Sequence, residues 1–98
     1  MYAVIRELIY DESRLSQSGE LLREFQRLHA AQPGFIGNLT VEIGLGHQIV
    51  VNLWQTEEQS DAGREALGPA VRRIQEPLMT APSRLIGAGP IVYNDIVK

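Results

Sequence analysis

Hydrophobic and polar positions alternate along the chain in two different periods. Residues 2–10 are rich in valine, isoleucine, leucine and tyrosine, with apolar side chains on both alternating faces, which is typical of a strand covered on both sides. Apolar residues then recur every three or four positions from residue 21 to residue 28. This spacing predicts an amphipathic helix that begins near Ser16 and ends before Pro33, because the residue preceding a proline is pushed out of the helical region.

Two further apolar stretches, residues 35–43 and 47–55, flank the sequence Gly44-Leu45-Gly46. They predict an antiparallel hairpin with a three-residue loop, in which Gly46 takes a left-handed conformation. In the resulting register one face of the hairpin is apolar through its middle and the other is mixed. The opposing pairs on the mixed face are Glu42 and Gln48, Thr40 and Val50, Asn38 and Asn52, and Ile36 and Trp54.

The second half of the chain repeats the order of helix and strand. Residues 56–59 have the spacing of a capping box and open a second helix that runs to about residue 67. A Gly-Pro pair interrupts it, and a further helical segment is expected over residues 69–79. The sequence Gly-Ala-Gly-Pro at 87–90 predicts a turn, and residues 91–97 the last strand.

The element order β-α-β-β-α-β predicts an α+β, ferredoxin-like fold with an antiparallel four-stranded sheet, as one domain over residues 1–98. Two helices cover only one face of such a sheet, yet apolar residues occupy both faces of its strands. Soluble monomers rarely expose so large an apolar surface. We therefore expect a homodimer in which a second copy covers the other face.

Composition narrows the choice of function. The net charge of −3 provides no basic field for nucleic acid or an anionic membrane. The absence of cysteine removes disulfides, thiolate metal sites and a cysteine nucleophile. Charged residues interrupt the first apolar segment, and no apolar run approaches the ~20 residues of a membrane span, so we expect a cytoplasmic protein that is mature from Met1.

Two motifs carry a resemblance to a known family: Gln32-Pro33-Gly34-Phe35 before the hairpin, and Asn52-Leu53-Trp54-Gln55-Thr56-Glu57-Glu58 at its end. Over nearly its full length the chain resembles the antibiotic biosynthesis monooxygenase (ABM) domain family of dimeric α/β barrel proteins. The resemblance implies a homodimer. It also implies one of several activities, among them cofactor-free oxidation of phenolic polycyclic substrates to quinones, quinol oxidation and haem degradation.

Residue by residue, the resemblance is incomplete. Trp54 matches the tryptophan that lines the family's pocket between sheet and helices. The asparagine of the quinone-forming type would fall where Val50 stands, with Asn52 two residues later, and no tyrosine follows the tryptophan soon after it. The haem-degrading type needs a histidine on the second helix, and residues 57–67 contain none. Haem degradation is therefore disfavoured.

The remaining candidates come from the chemistry of single side chains. Two opposed amides beside a tryptophan need partners that a phenolic or carbonyl ligand can supply, although the amides can also pair with each other. Arg6 lies on the Tyr2/Tyr10 face of the first strand and can hold an anionic oxygen. We interpret His29 as a solvated histidine near a helix end.

The sequence thus predicts a monooxygenase that oxidises a small aromatic or phenolic substrate with O₂, without prosthetic group or metal. A non-catalytic small-ligand-binding or structural dimer of the same fold is the alternative. The predicted catalytic residues are Trp54, Asn52, Arg6 and His47, and the predicted substrate-binding residues are Asn38, Trp54, Thr40 and Tyr10.

Overall fold

The computed structural model describes residues 1–96 and has the predicted α+β architecture. Its four antiparallel strands lie in the order β2-β3-β1-β4 and form an open sheet. The strands are β1 (Tyr2–Ile9), β2 (Phe35–Gly44), β3 (His47–Trp54) and β4 (Arg84–Pro90), and the helices are α1 (Glu12–Ser16), α2 (Gly19–Ala30) and α3 (Glu57–Ala70).

Helix α3 begins where the capping box predicts and ends later than expected. The Thr56 hydroxyl accepts a hydrogen bond from the backbone N–H of Gln59 at 3.1 Å, which satisfies one free donor of the first turn. The helix continues through Gly68 and Pro69, although proline removes one backbone bond from its interior. A π-helical segment (Val71–Gln75) and a 3₁₀ turn (Glu76–Leu78) follow, and the short α1 was not predicted.

The hairpin register is confirmed through its middle and corrected at both ends. Asn38 lies opposite Asn52 and Thr40 opposite Val50, as predicted. The connection is shorter than expected, since Gly44 already pairs with His47, and an irregularity beside Ile43 absorbs the extra residue. A second irregularity places Phe35, rather than Ile36, opposite Trp54. Gly46 has the predicted left-handed backbone, with φ of 72°.

The last strand was predicted in the wrong place. β4 spans Arg84–Pro90, so the Gly-Ala-Gly-Pro sequence lies in the strand rather than in a turn. Apart from Ile86, which lies at an irregularity, the residues of β4 pair with β1, and Tyr2 at the start of β1 lies opposite Pro90. Beyond Pro90 the Ile91 N–H donates to the Met1 carbonyl at 2.9 Å, and residues 92–96 form no strand, although several of them have high β-propensity. The final residues of the predicted strand, from residue 97, lie outside the described part.

The two faces of the sheet differ sharply. On the face toward the helices, Leu8, Tyr10 and Val50 form a buried cluster with Leu78. The other face, here called the open face, carries the odd-numbered positions of β3 and those of β2 from Gly37 onward. On this face 49% of Leu39 and 55% of Val41 are exposed. The isolated chain thus shelters one side of its sheet and leaves the other, which is apolar, in contact with solvent.

Candidate functional site

A cavity of about 470 Å³ lies between the helix-facing side of the sheet and the helices α2 and α3. Strand alternation directs even-numbered residues of β1 and β3 into it, together with Asn38 and Thr40 of β2, because successive side chains point to opposite faces. The irregularity at the start of β2 adds Phe35 to the lining. The surface of its wall is mostly apolar in area, although about half of the residues that line it are polar or charged. A largely apolar cavity with converging polar groups is typical of a small-molecule site.

Trp54 forms the wall at the end of β3 and is only 3% exposed. Its ring centroid lies 5.3 Å from that of Phe35, in an edge-on arrangement favoured by aromatic pairs. Helix α3 passes directly over the indole ring at Gly63, where a built Cβ atom would collide with the six-membered ring. The close approach therefore requires glycine, and it fixes the tryptophan between the strand and the helix.

A chain of polar side chains crosses β2 and β3 beside this tryptophan. The Thr40 hydroxyl donates to Asn38 Oδ1 at 2.6 Å, and Asn38 Nδ2 donates to Asn52 Oδ1 at 2.7 Å. Within residues 1–96 the Asn52 amide nitrogen makes no hydrogen bond. The chain of bonds therefore ends in N–H donors that line the cavity.

Two arginines from facing elements line the same cavity. Arg6 projects from the middle of β1, half-buried, and its Nη1 donates to the Ser83 hydroxyl at 3.3 Å. Arg64 projects from α3 and is exposed. Burial lowers the pKa of Arg6, and the neighbouring charge of Arg64 lowers it further, although a guanidinium remains protonated in proteins.

Tyr10 closes the cavity beyond the end of β1 and is buried. Its phenol oxygen accepts a hydrogen bond from Gln75 Nε2 at 3.0 Å. Burial raises the pKa of Tyr10, and the bond from Gln75 offsets part of that rise. Tyr10 is therefore a neutral phenol near pH 7, held in place by the π-helical segment.

His29 lies in the cavity wall, which corrects the prediction of a solvated histidine. Its ring centroid is 4.6 Å from that of Phe35 and 5.6 Å from that of Trp54. Its Nδ1 is buried without a hydrogen-bond partner among the described residues. Burial lowers the pKa of His29, so the imidazole is neutral near pH 7.

The signal that could have revealed His29 was present in the helical periodicity. Leu22, Phe25 and His29 follow at three- and four-residue spacing and share the inward stripe of α2. The sequence disfavours haem because residues 57–67 contain no histidine. The structure shows that a histidine does reach the cavity, namely His29 of helix α2.

His47, by contrast, is not brought to the cavity. It belongs to the odd-numbered positions of β3 and lies on the open face, where its Nε2 is 2.7 Å from Glu7 Oε2. Arg84 Nε donates to the other oxygen of Glu7 at 2.8 Å. Hydrogen bonds from Arg84 and His47 lower the pKa of Glu7. These three residues join β3, β1 and β4 on the side away from the other candidates.

Within the described range 1–96, no group of three or more potential His, Asp or Glu ligands converges on a point. No helix in the same range is long and apolar enough to cross a membrane.

Comparison with solved structures tests whether the chain has the fold of the family that its sequence resembles. A structure named antibiotic biosynthesis monooxygenase superposes with a TM-score of 0.75 at 16% identity, over 95% of this chain and 100% of the other. SnoaB, a cofactor-independent oxygenase from Streptomyces nogalater, superposes with a TM-score of 0.72 at 10% identity, over 95% and 94% of the two chains. The chain has the antibiotic biosynthesis monooxygenase fold.

Proteins with this fold do not all have a known activity. The NE2512 protein of unknown function from Nitrosomonas europaea superposes with a TM-score of 0.77 at 14% identity, over 97% of this chain and 92% of the other. No family model matches the sequence, and no curated protein matches it significantly. The ABM resemblance drawn from two motifs is thus confirmed as a resemblance of fold.

Proposed function

We propose that the chain is a cofactor-independent monooxygenase that oxidises a small aromatic or phenolic substrate with O₂ in the cavity between sheet and helices. The observation that carries the proposal is the convergence of Trp54, the Asn52 amide and Arg6 on one largely apolar cavity. The likeness to SnoaB, named a cofactor-independent oxygenase, supports the same class of reaction.

In the proposed reaction the substrate supplies all the electrons. Deprotonation of the phenol gives an anion with carbanion character at the ring carbon that is a CH₂ group in the keto tautomer, and this carbanion reduces O₂. The two combine as a hydroperoxide, which loses water, so that CH₂ and O₂ become C=O and H₂O. The protein binds the anion in a largely apolar cavity, where fixed donors are more effective than in bulk water.

Each side chain has a separate role in this proposal. Trp54 stacks against the aromatic substrate, and the Asn52 N–H group donates to the developing oxyanion. Arg6 stabilises the same charge across the strand pair, while Asn38, Thr40 and Tyr10 shape and orient the site. His29 accepts the phenolic proton in place of His47, because a neutral imidazole in the cavity wall is a competent base.

Oxygen uptake with an anthrone, which carries the ring CH₂ group, tests the proposal. We expect substrate-dependent uptake by the wild-type protein, a loss of tenfold or more in His29→Gln, and a comparable loss in Trp54→Phe. His47→Gln is the matched control, since it changes the chain's other histidine on the opposite face of the sheet and should retain the rate. No uptake above buffer, or Trp54→Phe indistinguishable from the wild type, would contradict the proposal.

The second candidate is a non-catalytic binding protein of the same fold. The bonds among Thr40, Asn38 and Asn52 favour it, because these polar groups already satisfy one another in part without a ligand. Both candidates expect aromatic ligands to bind, and only turnover separates them. A Soret band on adding hemin that is lost in His29→Phe would instead favour haem binding.

We also propose that the protein is a homodimer through the open face of the sheet. Leu39, Val41 and Ile43 form an exposed apolar row there. A sheet face of this kind, covered by a second copy, resembles a protein core divided between two subunits. The cavity lies on the opposite side, so each subunit keeps its own.

A further inference from the structure

Among the described residues that line the cavity, those that are charged at pH 7 are all positive. The charged residues of the lining are Arg6 and Arg64. His29 is neutral, and the lining contains no aspartate and no glutamate. The whole chain has a net charge of −3, with 12 acidic against 9 basic residues. The cavity therefore has the opposite sign of charge from the molecule around it.

Neither arginine is neutralised within the described range 1–96. The ion pairs of that range join Arg14 to Asp11, Arg73 to Glu24, and both Arg84 and His47 to Glu7. Arg6 has only the neutral hydroxyl of Ser83 as a hydrogen-bond partner. Two guanidinium groups that face one cavity repel each other, and a half-buried charge without a counter-ion is costly.

We propose that the cavity binds an aromatic carboxylate, with the carboxylate held between Arg6 of β1 and Arg64 of α3. The inference deepens the proposed function and rests on the cavity being its ligand site. The planar donors of arginine match the two oxygens of a carboxylate. A singly charged carboxylate suits the largely apolar wall better than a doubly charged phosphate, because its desolvation costs less.

The aromatic part of the ligand has a defined place in this arrangement. Trp54 and Phe35 form the apolar end of the cavity, and the free N–H donors of Asn52 lie on β3 next to it. Arg6 lies on the neighbouring strand β1, where it is opposite Val50. It is two residues from Val4, which lies opposite Asn52. A ring that stacks on Trp54 can thus present a phenolic oxygen to the amides and a carboxylate to the arginines.

Calorimetric titration with 6-hydroxy-2-naphthoate and with its methyl ester tests the proposal, because the two ligands differ in charge and share the ring and the phenol. We expect the carboxylate to bind at least tenfold more tightly than the ester. This preference should fall several-fold with rising salt, since Arg64 is exposed to solvent.

Variants identify the groups responsible. Arg64→Gln should remove most of the preference while binding of the ester is kept, and Arg6→Gln should also remove most of the preference. Arg64 is exposed, so its variant remains informative if Arg6→Gln fails to fold. Arg27→Gln, which removes an equal charge from α2 outside the cavity lining, is the control and should keep the preference.

Equal affinities for carboxylate and ester in the wild type would overturn the inference, as would a preference that survives in Arg64→Gln and in a folded Arg6→Gln. Failure of both ligands to bind would overturn it together with the proposed function. Selective binding of the carboxylate by a protein that shows no oxygen uptake with the anthrone would support the inference and count against the monooxygenase, so the two failures are distinguishable.

Discussion

At the scale of single residues, His29 shows how a helical stripe can carry a functional group into a cavity. Its neighbours are the rings of Phe25, Phe35 and Trp54, none of which titrates. Burial against these rings lowers the pKa of His29. The free imidazole titrates near pH ~6.5, so in the folded protein protonation is delayed to a lower pH.

This shift predicts a pH dependence of stability. Between the two pKa values the unfolded chain binds more protons than the folded protein, so the free energy of unfolding falls as the pH is lowered from about 7.5 to about 5.5. Burial disfavours protonation of the imidazole in the folded protein, whereas in the unfolded state the imidazole is protonated more readily. His29→Phe should flatten this fall, because phenylalanine fits the same aromatic cluster and does not titrate.

Urea unfolding at several pH values measures the effect. The chosen range lies above the unfolded pKa of carboxylates, near ~4. Glu7 and Asp11, whose folded pKa values are lowered by their hydrogen bonds, lose their stabilisation only at lower pH. A wild-type slope that persists unchanged in His29→Phe would show that burial of this imidazole is not responsible.

At the scale of secondary-structure elements, the site depends on how closely α3 lies on β3. The contact at Gly63 leaves no room for a methyl group above the Trp54 ring. We expect Gly63→Ala to destabilise the protein by about 1–3 kcal/mol, the usual cost of overpacking. It should also move the indole and weaken binding in the cavity.

Gly68→Ala in the same helix is the matched control. A methyl group there meets only the flexible end of Arg72, at 3.4 Å. Alanine is favoured over glycine within a helix by roughly 1 kcal/mol, so this variant should be neutral or stabilising. Equal effects of the two substitutions in thermal unfolding would refute the packing of α3 on Trp54.

The elements also show what the sequence could and could not predict. The hairpin pairs Asn38–Asn52 and Thr40–Val50 followed from alternation, because only one register keeps a face apolar. The position of β4 did not follow, since a glycine-rich edge strand is specified by pairing with β1 rather than by its own propensity.

The site was predictable only where strand alternation determines it. Trp54, Asn52, Asn38, Thr40, Arg6 and Tyr10 all line the cavity. His47 was assigned by its chemistry and not by its face, and it lies on the open side. Arg64 and His29 come from helices, whose contact with the sheet depends on tertiary packing that a single sequence does not specify.

At the scale of the whole molecule, the open face predicts the state of assembly. We expect sedimentation equilibrium at micromolar concentration to give twice the chain mass of 10.9 kDa. Val41→Glu places a charge in the middle of the open face and should yield monomers. Leu45→Glu is the control: it lies in the hairpin turn, where 78% of its surface is already exposed, and should leave the dimer intact. A wild-type protein that sediments as a monomer would contradict the proposed dimer.

Heteronuclear NMR can show whether a ligand binds on the helix-facing side of the sheet, as proposed, or on the open face. Trp54 is the only tryptophan of the chain, so its indole N–H gives a single resolved signal. On titration with 6-hydroxy-2-naphthoate we expect this signal and the side-chain amides of Asn38 and Asn52 to shift together. Shifts confined to open-face residues such as Ile49 and Val51, with the indole signal unmoved, would show that the cavity is not the ligand site.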